Sequence, residues 1–207
     1  MPCYVFADVF KEWSDFENDI RKGQLTAAEA EYKAKKIVPK MSEEAEALEI
    51  KEDSLWMFPL NGFYAQSLGN TKKIISGIAA GLREPKFFDG LEFLTQPYLK
   101  LVIPSKEKDL PSADVLAANN GVVVYVKKGA LNSPGGNTVW LYNPSQNFFI
   151  YYGMLRSVDV SLGDVLVKGD KIGSIKPVKK GYEFNFAVLM YGDETFTLFN
   201  YFEEMGE

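Results

Sequence analysis

The side chains able to do chemistry in this sequence are mainly carboxylates, because its 207 residues include no histidine. A serine or cysteine nucleophile that depends on a histidine base is therefore excluded. The single cysteine, Cys3, has no partner for an intrachain disulfide. The sequence also lacks a glycine-rich loop followed by Lys and Ser or Thr, the pattern that cradles a phosphate. What remains is acid–base chemistry by Asp and Glu, or their use as ligands of a hard cation.

Composition excludes several classes of function. The chain is 46% apolar and 14% aromatic, which is enough to bury a sizeable core. Its net charge of -5 and its scattered basic pairs indicate that it does not bind nucleic acid. No apolar run of about 18 residues predicts an integral membrane segment. Residues 1–10 lack the basic start and apolar core of a signal peptide. We interpret Cys3 as an ordinary free thiol, with a lipid-modified lipoprotein cysteine as the alternative.

The first fifty residues have a helical pattern. Phe10, Trp13, Phe16 and Ile20 recur at intervals of three and four, which places them on one apolar stripe. We expect this stripe to pack in a core, against the second helix or against the rest of the chain. The alternative is a helical hairpin that binds a partner.

A second helix is predicted after a short connection. Thr26 followed by Glu29 fits a capping box and predicts the start of that helix. Pro39 is predicted to end it, because proline removes a backbone donor and clashes with the preceding turn. Ser42 would then cap a third, acidic helical stretch over residues 43–48.

From Leu55 the segments become short and rich in β-branched and aromatic residues, so we divide the chain into 1–54 and 55–207. Turn signals separate these segments, which is typical of antiparallel sheets. The fold class predicted is therefore α+β, a helical N-terminal segment followed by a mostly antiparallel β-sandwich or barrel. The predicted strands are 122–126, 138–142, 148–152, 165–167, 171–175, 182–190 and 195–199.

Six motifs follow one another between residues 56 and 202. They are Trp56-Met57-Phe58-Pro59-Leu60, 113–123 (ADVLAANNGVV), Tyr152-Gly153-Met154-Leu155, 158–175 (VDVSLGDVLVKGDKIGSI), Tyr182-Glu183-Phe184-Asn185-Phe186 and Asn200-Tyr201-Phe202. In this order they resemble the lysostaphin/LytM-type zinc endopeptidases, the Gly-Gly endopeptidase family. The resemblance implies that family's β fold, the duplicated hybrid motif.

The 158–175 motif on its own is less specific. Paired Gly-Asp turns also occur in biotinyl and lipoyl carrier domains, but those present a modified lysine at a hairpin tip that this sequence lacks. Gly163, Gly169 and Gly173 are predicted to be turn residues with positive φ.

The resemblance also implies a zinc site whose ligands are missing. The family holds zinc with a His-x-x-x-Asp segment and a histidine on the last motif, and two more histidines assist the attacking water. In this chain Phe88, Glu92 and Asn185 stand at the three ligand positions. Met154 and Glu183 stand at the two assisting positions. Only Glu92 is a good metal ligand, so we predict no zinc, no other cofactor and no catalytic residue.

Two arrangements of the former metal pocket follow from these substitutions. In the first, the apolar side chains of Phe88, Met154 and Phe186 fill it. In the second, its carboxylates, Asp89 among them, hold a hard cation such as calcium.

We therefore expect a catalytically inactive peptidase-like module that binds peptide, peptidoglycan or a cell-wall hydrolase. The resemblance places it at the bacterial envelope, as a periplasmic, surface or secreted protein. Tyr152, Tyr182 and Phe87 are candidates for lining the binding groove. One alternative is a cell-wall hydrolase with Glu92 and Glu183 as its acid and base. The other is a structural or carbohydrate-binding β module.

Overall fold

The computed structural model describes most of the chain, with several gaps. The described residues are 6–51, 53, 56–61, 99–104, 111–129, 136–145, 147–178, 181–193 and 195–198. The predicted site residues Phe87, Phe88, Asp89 and Glu92 lie outside these ranges.

Two helices form the N-terminal layer. Helix α1 covers Phe6–Arg21 and helix α2 covers Ala27–Glu46. The predicted capping box is confirmed, because the Glu29 amide donates to Thr26 Oγ1 at 3.3 Å and the Thr26 amide donates to Glu29 Oε2 at 2.8 Å. Within the described part of the chain, no helix has the length and apolar character needed to cross a membrane.

The prediction that Pro39 ends the second helix is wrong. Helix α2 continues through Pro39 to Glu46, so no third helix begins at Ser42. A proline inside a helix costs about 3 kcal/mol. Packing offsets this cost, because Met41 and Ala45 in the following turns are completely buried.

The strands follow the sequence pattern closely. All seven predicted strands are confirmed, with ends that differ by at most three residues. The described strands are β1 Leu99–Pro104, β2 Ala113–Leu116, β3 Gly121–Lys127, β4 Asn137–Asn143, β5 Phe148–Leu155, β6 Ser157–Val158, β7 Val165–Leu166, β8 Lys171–Ile175, β9 Pro177–Val178, β10 Gly181–Gly192 and β11 Thr195–Leu198.

These strands form two antiparallel sheets. The large sheet has the order β1-β10-β5-β4-β3-β7, and both β9 and β11 pair with β10. The small sheet has the order β2-β8-β6. Two helices followed by mostly antiparallel strands confirm the predicted α+β class.

The large sheet has a hydrophobic core on each of its faces. The inner core lies between the two sheets and includes Val115 and Ile172 from the small sheet. The helix core lies between the other face and the helical layer, where Phe10, Trp13 and Phe16 are buried. The apolar stripe of α1 therefore packs in a core, as predicted. The central strands are covered on both sides and have few exposed positions.

A β-bulge in β3 helps to seat α1. Between Val123 and Tyr125 the register with β4 shifts, and as a result Val124 and Tyr125 both belong to the helix core. The Tyr125 hydroxyl donates to Asn18 Oδ1 of α1 at 3.1 Å.

The glycines of the 158–175 hairpin have two different roles. Gly163 and Gly169 have φ of 87° and 94°, which confirms their predicted turn role. The same prediction for Gly173 is wrong, because Gly173 is not among the residues with positive φ. There a Cβ would lie 2.1 Å from the Ser157 carbonyl oxygen, so Gly173 permits two strands to approach closely.

Candidate functional site

Strands β5 and β10 bring together the three predicted site positions that the structure describes. In the register of this pair, Gly153 lies opposite Asn185, and Met154 follows Gly153 on β5. Glu183 lies two residues before Asn185 on β10, where its backbone pairs with Val102 of β1. The two family motifs on β5 and β10 therefore meet at one end of this strand pair.

The helical layer covers the sheet face on which this site lies. Side chains alternate between the faces of a strand, so Asn185 shares its face with Ala187 and Leu189. Both of those residues belong to the helix core. Asn185 itself is half-buried. We call this region, around Tyr151, Gly153 and Asn185, the site face.

Tyr151 occupies the space above Gly153. A Cβ placed on Gly153 would lie 2.4 Å from the Tyr151 hydroxyl oxygen, so the tyrosine side chain extends along β5 over the glycine. Tyr151 is completely buried, and its ring packs edge-on against Trp140 at 5.1 Å. The site face is therefore filled next to Asn185 by an aromatic side chain of the sheet itself.

A charged pair of α1 lies against the same face. Glu17 is completely buried, and its Oε2 is 3.5 Å from Nε of Arg21. The Arg21 guanidinium lies 5.2 Å from the centre of the Tyr125 ring. Burial raises the pKa of Glu17 to about 7, although the charge of Arg21 opposes this shift. Burial also raises the pKa of Tyr151, again against the effect of Arg21.

The prediction that Met154 and Phe186 fill the former metal pocket is wrong. Met154 has φ of 61° and is 47% exposed, so its side chain leaves the sheet. Phe186 belongs to the inner core, because it alternates with Asn185 along β10. Tyr151 fills the space beside Gly153 instead.

The two tyrosines predicted to line a groove are core residues in this structure. Tyr152 is completely buried, and its hydroxyl accepts a hydrogen bond from the Ala118 amide at 2.8 Å. The Tyr182 hydroxyl donates to the Pro111 carbonyl at 2.8 Å, and 3% of Tyr182 is exposed. This corrects the groove assignment for both: strand alternation turns them into the inner core.

The described residues at the family positions do not fit a zinc ion. Protein zinc sites are built from His, Cys and carboxylate ligands in tetrahedral geometry. Here an exposed thioether, Met154, and a neutral amide, Asn185, replace imidazoles, and the sequence contains no histidine that could substitute. Across the described ranges, no three Asp, Glu, Cys or His side chains are grouped closely enough to hold a metal.

The sequence reasoning missed the groups that define this face. Glu17 and Arg21 lie four and eight residues after Trp13, on the apolar stripe of α1. Two charged residues inside a buried stripe are a signal for a buried polar contact. Tyr151 has no such signal, because an aromatic residue inside a strand is most often a core residue.

Comparison with known proteins supports the resemblance. Residues 108–194 match the model of peptidase family M23. This match includes the positions of Met154, Glu183 and Asn185 but not those of Phe88 and Glu92. No curated protein matches the chain.

Several solved structures align with part of the chain. The SpoIIQ–SpoIIIAH pore-forming complex is 22% identical over 48% of this chain and 60% of that chain, with a TM-score of 0.37. A zinc-containing peptidase from Vibrio cholerae is 17% identical over 61% of this chain and 33% of that chain, with a TM-score of 0.38. The antimicrobial peptidase lysostaphin from Staphylococcus simulans is 19% identical over 51% and 42%, with a TM-score of 0.36. The chain thus covers less than two thirds of each of these proteins.

Proposed function

We propose that this chain is a catalytically inactive member of peptidase family M23, whose model matches residues 108–194. It binds a partner at the bacterial cell envelope instead of cleaving it. Its partner is peptidoglycan, a peptide or a cell-wall hydrolase. As in the family, its place is the periplasm, the cell surface or the outside of the cell.

The observation that carries this proposal is the set of side chains at the family positions on β5 and β10. A zinc peptidase needs three protein ligands and an open fourth position, where zinc lowers the pKa of bound water. Met154 and Asn185 supply neither an imidazole nor a carboxylate. Without histidine in the sequence, no nearby residue restores the lost imidazoles.

The cover over the site face is a second, independent support. Cleavage requires a substrate carbonyl to reach the catalytic groups. Here Tyr151 lies over Gly153, and the buried stripe of α1 packs on the same sheet face. The side chains on the site face therefore stabilise the fold. Partner binding then takes place on the rest of the protein surface.

The first experiment measures metal content and hydrolysis. We expect purified protein, incubated with zinc and then desalted, to retain no stoichiometric zinc in elemental analysis. We also expect no release of soluble fragments from purified peptidoglycan. One zinc per chain would overturn the proposal.

A matched pair of variants makes the hydrolysis assay decisive. Glu183→Gln removes the remaining acidic group of the β10 motif, and Glu12→Gln removes an exposed carboxylate of α1. Inactivity of wild type and both variants supports the proposal. Hydrolysis by wild type and Glu12→Gln that is lost in Glu183→Gln would establish a carboxylate enzyme.

The second experiment identifies the partner class. Cosedimentation with purified peptidoglycan and pull-down with cross-linked stem peptides or a purified cell-wall hydrolase separate the three candidates. Saturable binding to one of them is the expected result. Binding to glycan strands without peptide would favour a carbohydrate-binding module instead.

A further inference from the structure

We propose that protonation of Glu17 controls how tightly α1 is docked on the large sheet, so that ionisation of this carboxyl favours exposure of the site face. This inference concerns the contact between α1 and the sheet. It holds whichever partner the chain binds.

The position of Glu17 is the first argument. The residue lies on the apolar stripe of α1 and is completely buried. Neither carboxylate oxygen has a hydrogen-bond partner of normal geometry. An ionised carboxylate in such a place loses its hydration without full compensation, whereas a neutral carboxyl loses much less.

Arg21 compensates the charge only in part. Its Nε is 3.5 Å from Glu17 Oε2, too long for a strong charge-assisted bond. Both Nε and Nη2 of Arg21 are buried without a hydrogen-bond partner. Burial lowers the pKa of Arg21. The negative charge of Glu17, and to a smaller extent Tyr125 and Tyr151, raises it, and the net result is a pKa above the usual range. The guanidinium therefore stays charged while the carboxyl titrates.

Arg21 is the cation that acts on the ionisation of Glu17 among the described residues. Among the described residues, Tyr125 of β3 and Tyr151 of β5 face the Glu17–Arg21 pair, and the pKa of each is raised by burial. Thr138 of β4 adds an uncharged hydroxyl beside Tyr151. Burial, and then the charge of Arg21, lowers the pKa of Lys127 of β3.

The direction of the pH effect follows from linkage. Burial raises the pKa of Glu17 from 4.5 to about 7 in the docked state. Below pH 4.5 the neutral carboxyl stabilises the docked state fully. This stabilisation is lost as the pH rises from 4.5 through about 7. If release of α1 returns Glu17 to water, the docking equilibrium weakens by up to about tenfold per pH unit in that window.

The docked position of α1 still has a strong apolar anchor. Trp13 packs against Phe149 at 4.8 Å and against Phe16 at 5.2 Å. Ionisation of Glu17 therefore changes the population of a minor, undocked state and does not abolish docking. The appropriate measurement is one that detects rare opening.

Hydrogen exchange of backbone amides in the full chain is such a measurement. After correction for intrinsic exchange rates, we expect the protection of α1 to fall roughly 70-fold between about pH 5 and pH 8. Protection in β3, β4 and β5 should change much less. The same fall in those strands would show global unfolding and would overturn the proposal.

Two variants and a direct titration complete the test. Glu17→Gln should remove the pH dependence in α1, whereas Glu12→Gln, at an exposed position of the same helix, should keep it. Equal pH dependence in wild type and Glu17→Gln would contradict the proposal. If Glu17→Gln does not fold, carbon-13 NMR of the wild-type carboxyl decides. Titration near pH 7 supports the proposal, and titration near the ordinary value of 4.5 overturns it.

Discussion

Both faces of the large sheet bury aromatic side chains, but the hydrogen bonding of their buried polar groups differs. On the inner face, Tyr152 is completely buried and its hydroxyl accepts the Ala118 amide. On the opposite face, the neighbouring Tyr151 is equally buried, but its hydroxyl has no hydrogen-bond partner of normal geometry. Glu17 and Arg21 beside it form an ion pair at 3.5 Å but make no hydrogen bond of normal geometry.

This difference separates two contacts of the large sheet, one with the small sheet and one with the helices. The inner core joins strands that carry most of the family motifs, including the 158–175 hairpin. The helix core joins the sheet to a segment outside the matched region of 108–194. Buried polar groups normally have hydrogen-bond partners. Groups without one therefore indicate either local strain or a functional role.

The largest loss of stability is expected when the aromatic anchor of α1, Trp13, is removed. Trp13→Ala deletes a completely buried ring that packs against Phe16, Phe149 and Phe196. We expect a loss of about 3–5 kcal/mol in the free energy of unfolding. Chemical denaturation measures it. Tyr32→Ala is the control, because Tyr32 of α2 is 60% exposed. It should lower the free energy of unfolding by about 0.5 kcal/mol or less. Equal effects would mean that the helix layer contributes little to stability.

A smaller effect is expected from crowding the site face. Gly153→Ala places a methyl group against the Tyr151 hydroxyl, and the buried ring must shift to make room. We expect a cost of about 1–3 kcal/mol in unfolding free energy, because overpacking forces side chains away from their preferred rotamers.

Gly192→Ala is the matched control for this crowding. It lies at the end of β10, opposite Thr195 of β11, and a Cβ there meets no atom within 4 Å. Its unfolding free energy should change by less than about 0.5 kcal/mol. If Gly153→Ala is equally mild, Tyr151 moves freely and the site face is not tightly filled.

The sequence predicted the parts of this architecture that depend on local patterns. The stripe of α1, the capping box at Thr26 and the strands follow from short-range periodicity, and all are observed. The helix end predicted at Pro39 is wrong, because the buried packing of the turns that follow it offsets the cost of the proline. The family motifs placed Met154 and Asn185 at neighbouring positions.

The covering of the site face could not be predicted in the same way. Which face α1 covers depends on contacts between residues more than a hundred positions apart, such as Asn18 with Tyr125. A single sequence carries no periodic signal for such a choice. The same limit explains why Tyr152 and Tyr182 were assigned to a groove: a strand pattern shows alternation but not which side is open.

The smallest and most selective test compares the two neighbouring tyrosines. Tyr152→Phe leaves the buried Ala118 amide without its acceptor and should cost about 1–2 kcal/mol in unfolding free energy. Tyr151→Phe removes a hydroxyl that has no normal hydrogen bond, so it should change stability by less than about 0.5 kcal/mol or increase it. Both variants remove one oxygen from a completely buried ring, and their difference in urea denaturation isolates the polar environment of each face. If Tyr151→Phe costs as much as Tyr152→Phe, the Tyr151 hydroxyl is bonded, and the helix-covered face is as well satisfied as the inner one.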